Sequence, residues 1–490
     1  MNTKVVLAID LGTTGNRVMA FSREGKILAK AYYEFPQIFP KPGWVEHNPL
    51  DILKTTLKAL RDAAKAVGVN KIVSIGITNQ RETTILWDKF TGQPVYNAIV
   101  WQCRRTEDIC RNLKQYSKVI KGKTGLVLDP YFSASKIKWL LKNVSGLREK
   151  IFRGRILFGT PETWILWNLT GGKVHCTEPS NASRTMLFNL RTLEFDRELL
   201  KIFALPGSIL PEIKDSDSTF GVLAKNILGK EIPLVGILGD QQASLFTQCG
   251  EEKGTIKATY GTGIFVMTNI GKKPVISDKL LTTIAWKVGK EVNYALEGSL
   301  FMGGATIQWL RDNLKILKSA ADSEQMAAAL KDNEGVYFVP AFQGLGAPYW
   351  DPEARGLLIG LTRKTTTKNI ARAALESLAY QTRDVIEEME KNLQYKFKVL
   401  RVDGGATLNN FLMQFQTDIL SLPVERLVNA DSTALGAAGI SAIATGFWSK
   451  EAFKKMRKID KVFRPKMPSK NSDLYYAKWQ EAVKRSLKWK

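Results

Sequence analysis

The sequence predicts an α/β protein built from two large domains. Strand-like and helix-like patterns alternate along its 490 residues, and this length exceeds the ~250 to 300 residues at which one hydrophobic core stops growing. A strand that runs into a turn of glycine and threonine occurs near residue 10 and again near residue 260. The repeat predicts two related domains, 1–250 and 251–490, with the boundary at residues 245 to 255.

The first predicted element is a buried strand, Val5–Ile9, which leads through Asp10 into the turn Leu11–Arg17. Glycine lets the backbone turn tightly against a ligand, and threonine hydroxyls and N–H groups can donate to phosphate oxygens. A carboxylate beside them can hold a hydrated Mg2+. The same pattern fits a plain hairpin with a Gly/Thr turn, so both interpretations stay open on this motif alone.

The next elements bring polar groups to a strand end. Asn48 and Pro49 predict a helix start, and apolar residues then recur on one face until Gly68. The strand 71–78 follows and ends in the polar segment Asn79–Glu82.

Two further apolar runs surround that polar segment. The runs 83–87 and 95–101 are separated by residues typical of turns. We expect them to form an antiparallel hairpin that places Trp101 near the polar cluster.

The middle of the chain offers an acid at another strand end. The apolar run Ile232–Leu238 and Gly239 precede Asp240, whose carboxylate is ionised at neutral pH and can accept a proton. Asp240 could equally cap the helix that begins there, and the two roles are compatible.

The second half repeats the opening layout. Residues 255–260 and 264–268 are predicted strands joined by Gly261–Gly263, and the strand Val399–Val402 leads into Asp403–Thr407 and a helix. Glycine-rich turns after strands in both halves suggest two domains that face one nucleotide.

Composition excludes several classes of protein. The two histidines argue against a zinc site, and no C-x-x-C pair occurs among the four cysteines, which we expect to be free thiols. A net charge of +24 favours anionic ligands such as nucleotides, but no nucleic-acid module accompanies it, so no nucleic-acid partner is expected. We predict that the basic segment 450–464 is an amphipathic helix.

The stretch 435–448 is too short to span a bilayer, and the N-terminus lacks a signal-peptide pattern, so we expect a cytoplasmic protein.

Common nucleotide motifs fail on inspection. Gly122–Thr124 looks like the end of a P-loop, but Ser117 stands where a glycine is required, so we interpret the segment as a surface turn. Gly344 and Gly346 lack the third glycine of a dinucleotide fingerprint, because position 349 is tyrosine.

With these turns and clusters in place, the chain resembles the glycerol kinase family, carbohydrate kinases that share the fold of actin, hexokinase and heat-shock ATPases. The resemblance covers nearly the whole chain, and its order and spacing make it specific. It implies two ribonuclease H-like domains around a central cleft. The segments that carry it are Pro42–His47, Ile77–Glu82, Tyr96–Arg105, Tyr131–Ser133, Asn181–Thr185, Gly239–Gln242, Gly344–Asp351 and Asp403–Gly405.

The resemblance implies ATP-dependent phosphorylation of glycerol, with Asp240 as the catalytic base. It implies that Trp101 and Phe265 form walls against the carbon backbone of the substrate. The residues implied to bind glycerol are Arg81, Glu82, Tyr131, Asp240 and Gln241.

The resemblance also implies a nucleotide and metal site. Asp10, with Asp240 nearby, would hold Mg2+ mainly through water, and Arg17 would neutralise charge on the transferred group. A homodimer is the expected assembly. The residues implied to bind ATP are Thr13, Thr14, Gly15, Arg17, Thr262, Gly304, Gln308, Gly405 and Asn409.

The chain departs from the family pattern at Leu11, Gly15 and Asn16, where polar or small hydroxyl residues are usual. Residue 15 keeps its backbone N–H, so ATP binding is expected to survive. The loop 224–231 lacks the element that binds an inhibitory sugar bisphosphate in some members, and 216–221 lacks a histidine that is phosphorylated in others. Neither form of regulation is expected.

Two alternatives to a glycerol kinase stay open. One is a kinase for another polyol or a pentulose. The other, from a different class, is a non-enzymatic actin-like or nucleic-acid-binding ATPase.

Overall fold

The computed structural model describes residues 4–250, 252, 254–428 and 431–489. The strands are β1 Val5–Leu11, β2 Gly15–Phe21, β3 Ile27–Glu34, β4 Glu46–His47, β5 Ile72–Asn79, β6 Ile85–Asp88, β7 Ala98–Ile99, β8 Ile156–Gly159, β9 Cys176–Thr177, β10 Phe188–Asn189, β11 Glu194–Phe195, β12 Glu212–Ile213, β13 Thr219–Val222, β14 Pro233–Gly239, β15 Thr255–Tyr260, β16 Ile264–Gly271, β17 Leu281–Val288, β18 Glu291–Leu300, β19 Tyr337–Val339, β20 Leu357–Ile359, β21 Val399–Asp403, β22 Val424–Leu427 and β23 Ile459–Phe463.

Helices alternate with these strands, which confirms the α/β prediction. Short 3-10 helices cover Val69–Lys71, Lys114–Tyr116, Gly207–Ile209 and Gly405–Leu408. The α-helices are α1 Pro49–Val67, α2 Glu107–Asn112, α3 Ser117–Thr124, α4 Ser133–Asn143, α5 Leu147–Phe152, α6 Pro161–Leu169, α7 Pro179–Ala182, α8 Arg197–Phe203, α9 Lys225–Leu228, α10 Asp240–Gln248, α11 Gly304–Asp312, α12 Asp322–Ala328, α13 Thr367–Leu393, α14 Asn410–Leu420, α15 Ser432–Ala444, α16 Lys450–Met456 and α17 Ser469–Ser486.

Two large sheets share one plan. The first has the order β13-β14-β5-β1-β2-β3, and the second has the order β17-β18-β16-β15-β21-β22-β23. In each, an antiparallel hairpin (β1–β2 or β15–β16) adjoins parallel strands. Because parallel strands end at the same edge of a sheet, the loops after them gather on one side, where ligands bind in open α/β sheets.

The opening motif is a hairpin. Strand β1 is buried, and the turn is closed by the Gly12 N–H, which donates to the Gly15 carbonyl over 3.1 Å. A Cβ on Gly12 would lie 2.8 Å from that same carbonyl oxygen, so only glycine fits. The hairpin interpretation is therefore correct, and it is compatible with a ligand at the turn.

Helix α1 begins and ends as predicted. The Asn48 side chain accepts a hydrogen bond from the Leu50 N–H, Pro49 occupies the first turn, and Gly68 ends the helix at φ 91°. Its apolar face packs on the first sheet with Ile52 and Leu60 fully buried.

Helix α15 comes from the second half of the chain but packs on the first sheet. A Cβ on Gly76 of β5 would lie 2.1 Å from the Ala437 carbonyl oxygen, and one on Gly436 would lie 2.0 Å from the Ala243 carbonyl oxygen of α10. The helix backbone therefore touches its neighbours directly. Its apolar side chains share a core with Val6, Ala8, Met19 and Phe21 of β1 and β2.

The antiparallel hairpin predicted over residues 83–101 forms, although only through isolated bridges, and Trp101 lies beside the polar cluster, where its backbone N–H donates to Thr83 Oγ1 over 3.2 Å. Isolated bridges join Thr84 to Ile99 and Trp87 to Pro94, but β6 pairs with β8 and β7 pairs with β4. β6 and β7 thus form their regular ladders with strands that are distant in the sequence, and only single residue pairs join the two arms of the hairpin.

The interpretation of Gly122–Thr124 as a turn is wrong, although its exclusion as a P-loop stands. The segment is the end of α3, which stops at Gly125 in the left-handed conformation. Lys123 forms an ion pair with Asp196 over 2.8 Å, so its ammonium group is paired within the protein and not directed at a phosphate.

The basic segment 450–464 is only partly helical. Helix α16 ends at Met456, and β23 pairs antiparallel with β22 at the edge of the second sheet. Ile459 and Val462 are β-branched residues suited to a strand, and both are largely exposed.

Two expectations from composition can be compared with the structure. Cysteines 103, 110, 176 and 249 are free and buried, as predicted. Within the described residues, no helix combines the length and the apolar character that a membrane crossing requires.

Candidate functional site

A cavity of about 200 Å3 lies where the loops of the two sheets meet. It brings together all the residues predicted to bind an alcohol, along with residues of both glycine-rich turns. It is lined by Thr13, Thr14, Arg81, Glu82, Trp101, Tyr131, Asp240, Gln241, Thr259, Gly261, Thr262, Gly263 and Phe265. We call this space the acceptor cavity.

Aromatic rings form one wall of the acceptor cavity. The Trp101 ring lies edge-on to Tyr131 and to Phe265, with centroids 5.8 and 5.7 Å apart. The Trp101 Nε1–H donates to Thr13 Oγ1 over 3.0 Å. The wall thus offers apolar surface for CH groups. The hydrogen bond from the indole to Thr13 fixes this wall against the glycine-rich turn that follows β1.

Buried charges adjoin these rings, with the guanidinium of Arg81 5.8 Å from the Phe265 ring centroid and that of Arg184 5.5 Å from the Tyr131 ring centroid. Glu297 accepts two hydrogen bonds from the Arg81 guanidinium, over 2.7 and 2.9 Å. Arg184 bridges Glu82 and Glu297 over 2.6 and 3.0 Å. Burial opposes ionisation of Glu297, but Arg184 and Arg81 outweigh it and lower its pKa to about 2. Burial raises the pKa of Glu82, although both arginines counteract this.

Glu82 also has an unusual backbone. Its φ is 57°, in the left-handed region that glutamate seldom occupies. The Ser133 hydroxyl donates to its carbonyl over 3.0 Å. Strain held by surrounding contacts is common at functional sites, and here it directs the carboxylate toward Arg184.

Asp240 begins α10 at the end of β14. Its Oδ1 lies 3.3 Å from Arg81 Nε and accepts the Gln241 N–H over 2.7 Å. Burial raises the pKa of Asp240, while Arg81 and Lys257 lower it. Its side chain is 29% exposed, so it can meet a ligand while it also serves the helix terminus.

A second cavity of about 500 Å3 adjoins the first. Gly261 and Thr262 line both cavities, so the two spaces meet at the β15–β16 turn. A Cβ on Gly405 would face open space. The residues predicted from sequence for the nucleotide in this half of the chain all line it: Thr262, Gly304, Gln308, Gly405 and Asn409. We call this space the nucleotide cavity.

Three residues predicted for phosphate or metal stand beside these cavities rather than in their linings. Gly15 starts β2, with the Tyr33 carbonyl oxygen 2.7 Å from where a Cβ would be. Arg17 forms an ion pair with Asp431. Asp10 is the penultimate residue of β1 and is in register with Arg17.

The carboxylates present fit a magnesium ion held mainly by water and phosphate. Burial raises the pKa of Asp10 to about 6, and nearby Asp240 adds to the effect while Arg17 opposes it. Two close carboxylates that disfavour each other's charge suit a cation. Within the described residues no group of three potential ligands occurs, whereas Mg2+ commonly uses one or two carboxylates with substrate phosphates.

Sequence reasoning missed two buried charged residues at the acceptor cavity. Glu297 lies on β18, and Lys257 lies on β15, where its Nζ donates to Gln241 Oε1 over 2.5 Å. Neither belongs to a glycine-rich or strand-end motif. The available signal was a charged residue in the interior of a strand.

Comparison with known families decides the assignment. Residues 5–247 match the N-terminal domain of the FGGY family of carbohydrate kinases, and residues 256–445 match the C-terminal domain of that family. The chain belongs to the FGGY family of carbohydrate kinases.

Within this FGGY family, the similar relatives include glycerol kinases that match along the whole chain. A glycerol kinase of Aquifex aeolicus is 59% identical over 487 residues, covering 99% of this chain and 99% of that protein. Glycerol kinase 2 of Thermotoga maritima is 54% identical over 492 residues, with 99% of each chain covered.

Solved structures of FGGY kinases share the fold. The crystal structure of Plasmodium falciparum glycerol kinase with ADP matches with a TM-score of 0.91 at 36% identity, covering 99% of this chain and 98% of that chain. A gluconate kinase of Lactobacillus acidophilus has a TM-score of 0.87 at 23% identity and covers 99% of this chain and 97% of its own. The two-domain fold of actin and hexokinase-like kinases predicted from the sequence is confirmed.

Proposed function

We propose that this FGGY kinase transfers the γ-phosphoryl group of ATP to a terminal hydroxyl of glycerol, giving sn-glycerol 3-phosphate. One observation carries the proposal: an acceptor cavity containing Asp240 meets a nucleotide cavity at Gly261 and Thr262. Full-length identity of 59% to a glycerol kinase supports the choice of acceptor.

The acceptor cavity suits a small polyol. Arg81 and Gln241 supply donors, Glu82 and Asp240 supply acceptors, and the Trp101 ring packs against carbon. A site that pairs each hydroxyl penalises analogues lacking one, because its own polar groups would be left unpaired.

Asp240 acts as the base in this proposal. Its carboxylate, beside Arg81 Nε, accepts the hydroxyl proton and aims the oxygen lone pair at the γ-phosphorus. The phosphoryl transition state is loose, so a strong base is unnecessary.

The two glycine-rich turns hold the phosphates. Thr13, Thr14 and Thr262 present hydroxyl and N–H donors on opposite sides of the junction between the cavities. Asp10 and Asp240 would hold Mg2+, which when bound neutralises phosphate charge. Arg17 completes this charge balance if it leaves Asp431.

The domains 1–250 and 251–490 would close over both substrates, which excludes water as a competing acceptor. A cytoplasmic location and a homodimer complete the proposal. The location is proposed from the sequence pattern, and the homodimer from the resemblance to glycerol kinases.

An ADP-release assay with glycerol, xylulose, ribulose and gluconate tests the proposal. We expect turnover with glycerol and little with the other three compounds, because the 59% full-length identity to a glycerol kinase supports glycerol as the acceptor. Turnover with a pentulose or gluconate in place of glycerol would favour another polyol kinase. ATP hydrolysis that none of these alcohols stimulates would favour the actin-like or nucleic-acid-binding ATPase.

A further inference from the structure

The acceptor cavity has binding residues on one sheet and their buried partners on the other. Arg81 follows β5 and Gln241 lies on α10, both attached to the first sheet. Their charged partners, Glu297 on β18 and Lys257 on β15, belong to the second sheet. Both partners are fully buried.

Glu297 fixes the orientation of Arg81. The two carboxylate oxygens accept from the two terminal nitrogens of the guanidinium, a bidentate geometry that allows one orientation. The Ser299 hydroxyl and Arg184 hold the carboxylate in turn, over 2.8 and 3.0 Å.

This orientation leaves the Nε–H of Arg81 without a hydrogen bond among the described residues. The Nε atom is buried and lies 3.3 Å from Asp240 Oδ1. An unpaired buried donor is costly unless a ligand satisfies it. Arg81 is thus positioned to donate to a hydroxyl placed next to Asp240.

Lys257 does the same for Gln241. Its Nζ donates to Gln241 Oε1 over 2.5 Å and to Thr259 Oγ1 over 2.9 Å. Because the ammonium occupies the amide oxygen, the amide NH2 of Gln241 is the group left for a ligand. Burial lowers the pKa of Lys257 to about 8, while Asp403 and Asp240 oppose the shift.

We propose that Glu297 and Lys257 are positioning residues for the acceptor alcohol. They make no bond to the substrate, but they orient the donors of Arg81 and Gln241 toward it. Because they belong to the second sheet, the alcohol site is complete only when the two sheets are in contact. This inference rests on the proposed glycerol kinase function.

The test compares Glu297→Gln and Lys257→Met with the full-length wild-type enzyme. We expect each variant to raise the KM for glycerol about tenfold or more, because hydrogen bonds to charged groups are among the stronger ones. The KM for ATP should change less than about threefold, since neither residue lines the nucleotide cavity. Glu297→Asp keeps the carboxylate and should recover part of the glycerol affinity.

Glu376→Gln is the matched control. Glu376 forms a buried pair with Arg372 over 2.7 Å and lines neither cavity, so this variant should lower thermal stability and leave both KM values unchanged. If Glu297→Gln and Lys257→Met behave like this control, the positioning role is rejected while glycerol kinase activity stands. If Glu297→Gln does not fold, Lys257→Met alone decides. If the wild type does not use glycerol, the proposed function itself fails.

Discussion

At the scale of single residues, burial and neighbouring positive charges have opposite effects on the ionisation of Asp240 in the acceptor cavity. Burial raises the pKa of Asp240, but Arg81, the Gln241 N–H and Lys257 favour the carboxylate. The same Arg81 is shared with Glu297. The Asp240 carboxylate is therefore kept available as a proton acceptor mainly by Arg81, whose own pKa is raised well above its ordinary value.

Asp240→Asn should lower kcat about 10²- to 10⁴-fold, the usual contribution of a general base. The amide keeps the size of the side chain, so ATP affinity measured by calorimetry should stay near that of the wild type. Asp473→Asn, at an exposed position on α17, serves as the control and should retain full activity. A kcat within a few-fold of wild type in Asp240→Asn would remove this residue from the chemistry.

Sequence patterns marked the charged residues that follow strands, but they did not mark Glu297 and Lys257, which lie within strands. Asp240 and Arg81 follow apolar runs, so their exposure at a sheet edge could be inferred. Glu297 has no such marker, because its partners Arg81 and Arg184 are more than 100 residues away along the chain. Pairing across that distance is a tertiary property that periodicity does not encode.

At the scale of elements, the contact between α10 and α15 depends on glycine. We expect Gly436→Ala to lower the free energy of unfolding by about 1–3 kcal/mol, because the new methyl group would overlap the Ala243 carbonyl. Urea unfolding measures the change. Gly122→Ala is the control: a Cβ there meets nothing within 4 Å in α3, so stability should rise by up to about 1 kcal/mol. Equal effects in the two variants would contradict the close contact.

Helix α17 is docked on α13 through an unusual acid. Tyr476 and Trp479 donate to Asp384 over 2.7 and 2.9 Å, yet burial raises the pKa of Asp384 from 3.8 to about 7. The folded protein therefore binds this proton more tightly than the unfolded chain does. Ionising Asp384 in the folded protein lowers the free energy of unfolding. This loss is absent below about pH 4, where the carboxyl is protonated in both states, and complete above about pH 7.

Asp384→Asn should accordingly become more stable relative to wild type as pH rises from about 4 to 8. Thermal unfolding at several pH values measures the difference in Tm. Asp322→Asn is the control, because the Ser319 N–H lowers the pKa of Asp322. The difference in Tm between this variant and the wild type should be constant above about pH 5. A constant difference for Asp384→Asn as well would show that its pKa is ordinary.

Element boundaries could be predicted where a local signal exists. Asn48, Pro49 and Gly68 fix both ends of α1 through capping chemistry. In contrast, the segment 450–464 has a helical pattern throughout, yet pairing of β23 with β22 makes its second part a strand. Local sequence cannot supply that information.

At the scale of the whole molecule, the acceptor cavity is lined by residues of both halves of the chain, whereas the nucleotide cavity beside it is lined by the second half. Glycerol with a non-hydrolysable ATP analogue should therefore reduce the radius of gyration measured by small-angle X-ray scattering. Glycerol alone should produce part of the change, because the acceptor cavity already includes Phe265 and Thr262 of the second sheet. An unchanged radius with both ligands at saturation would exclude closure as the route to water exclusion.

The placement of α15 has a consequence for synthesis on the ribosome. N-terminal segments usually fold first as a chain emerges, at about 5–20 residues per second. Here Val6, Ala8, Met19 and Phe21 find their covering helix only in Ser432–Ala444, which at those rates emerges about 10 to 40 s after residue 250. During that interval the nascent first half keeps an uncovered apolar face, so the two halves of the chain finish folding together.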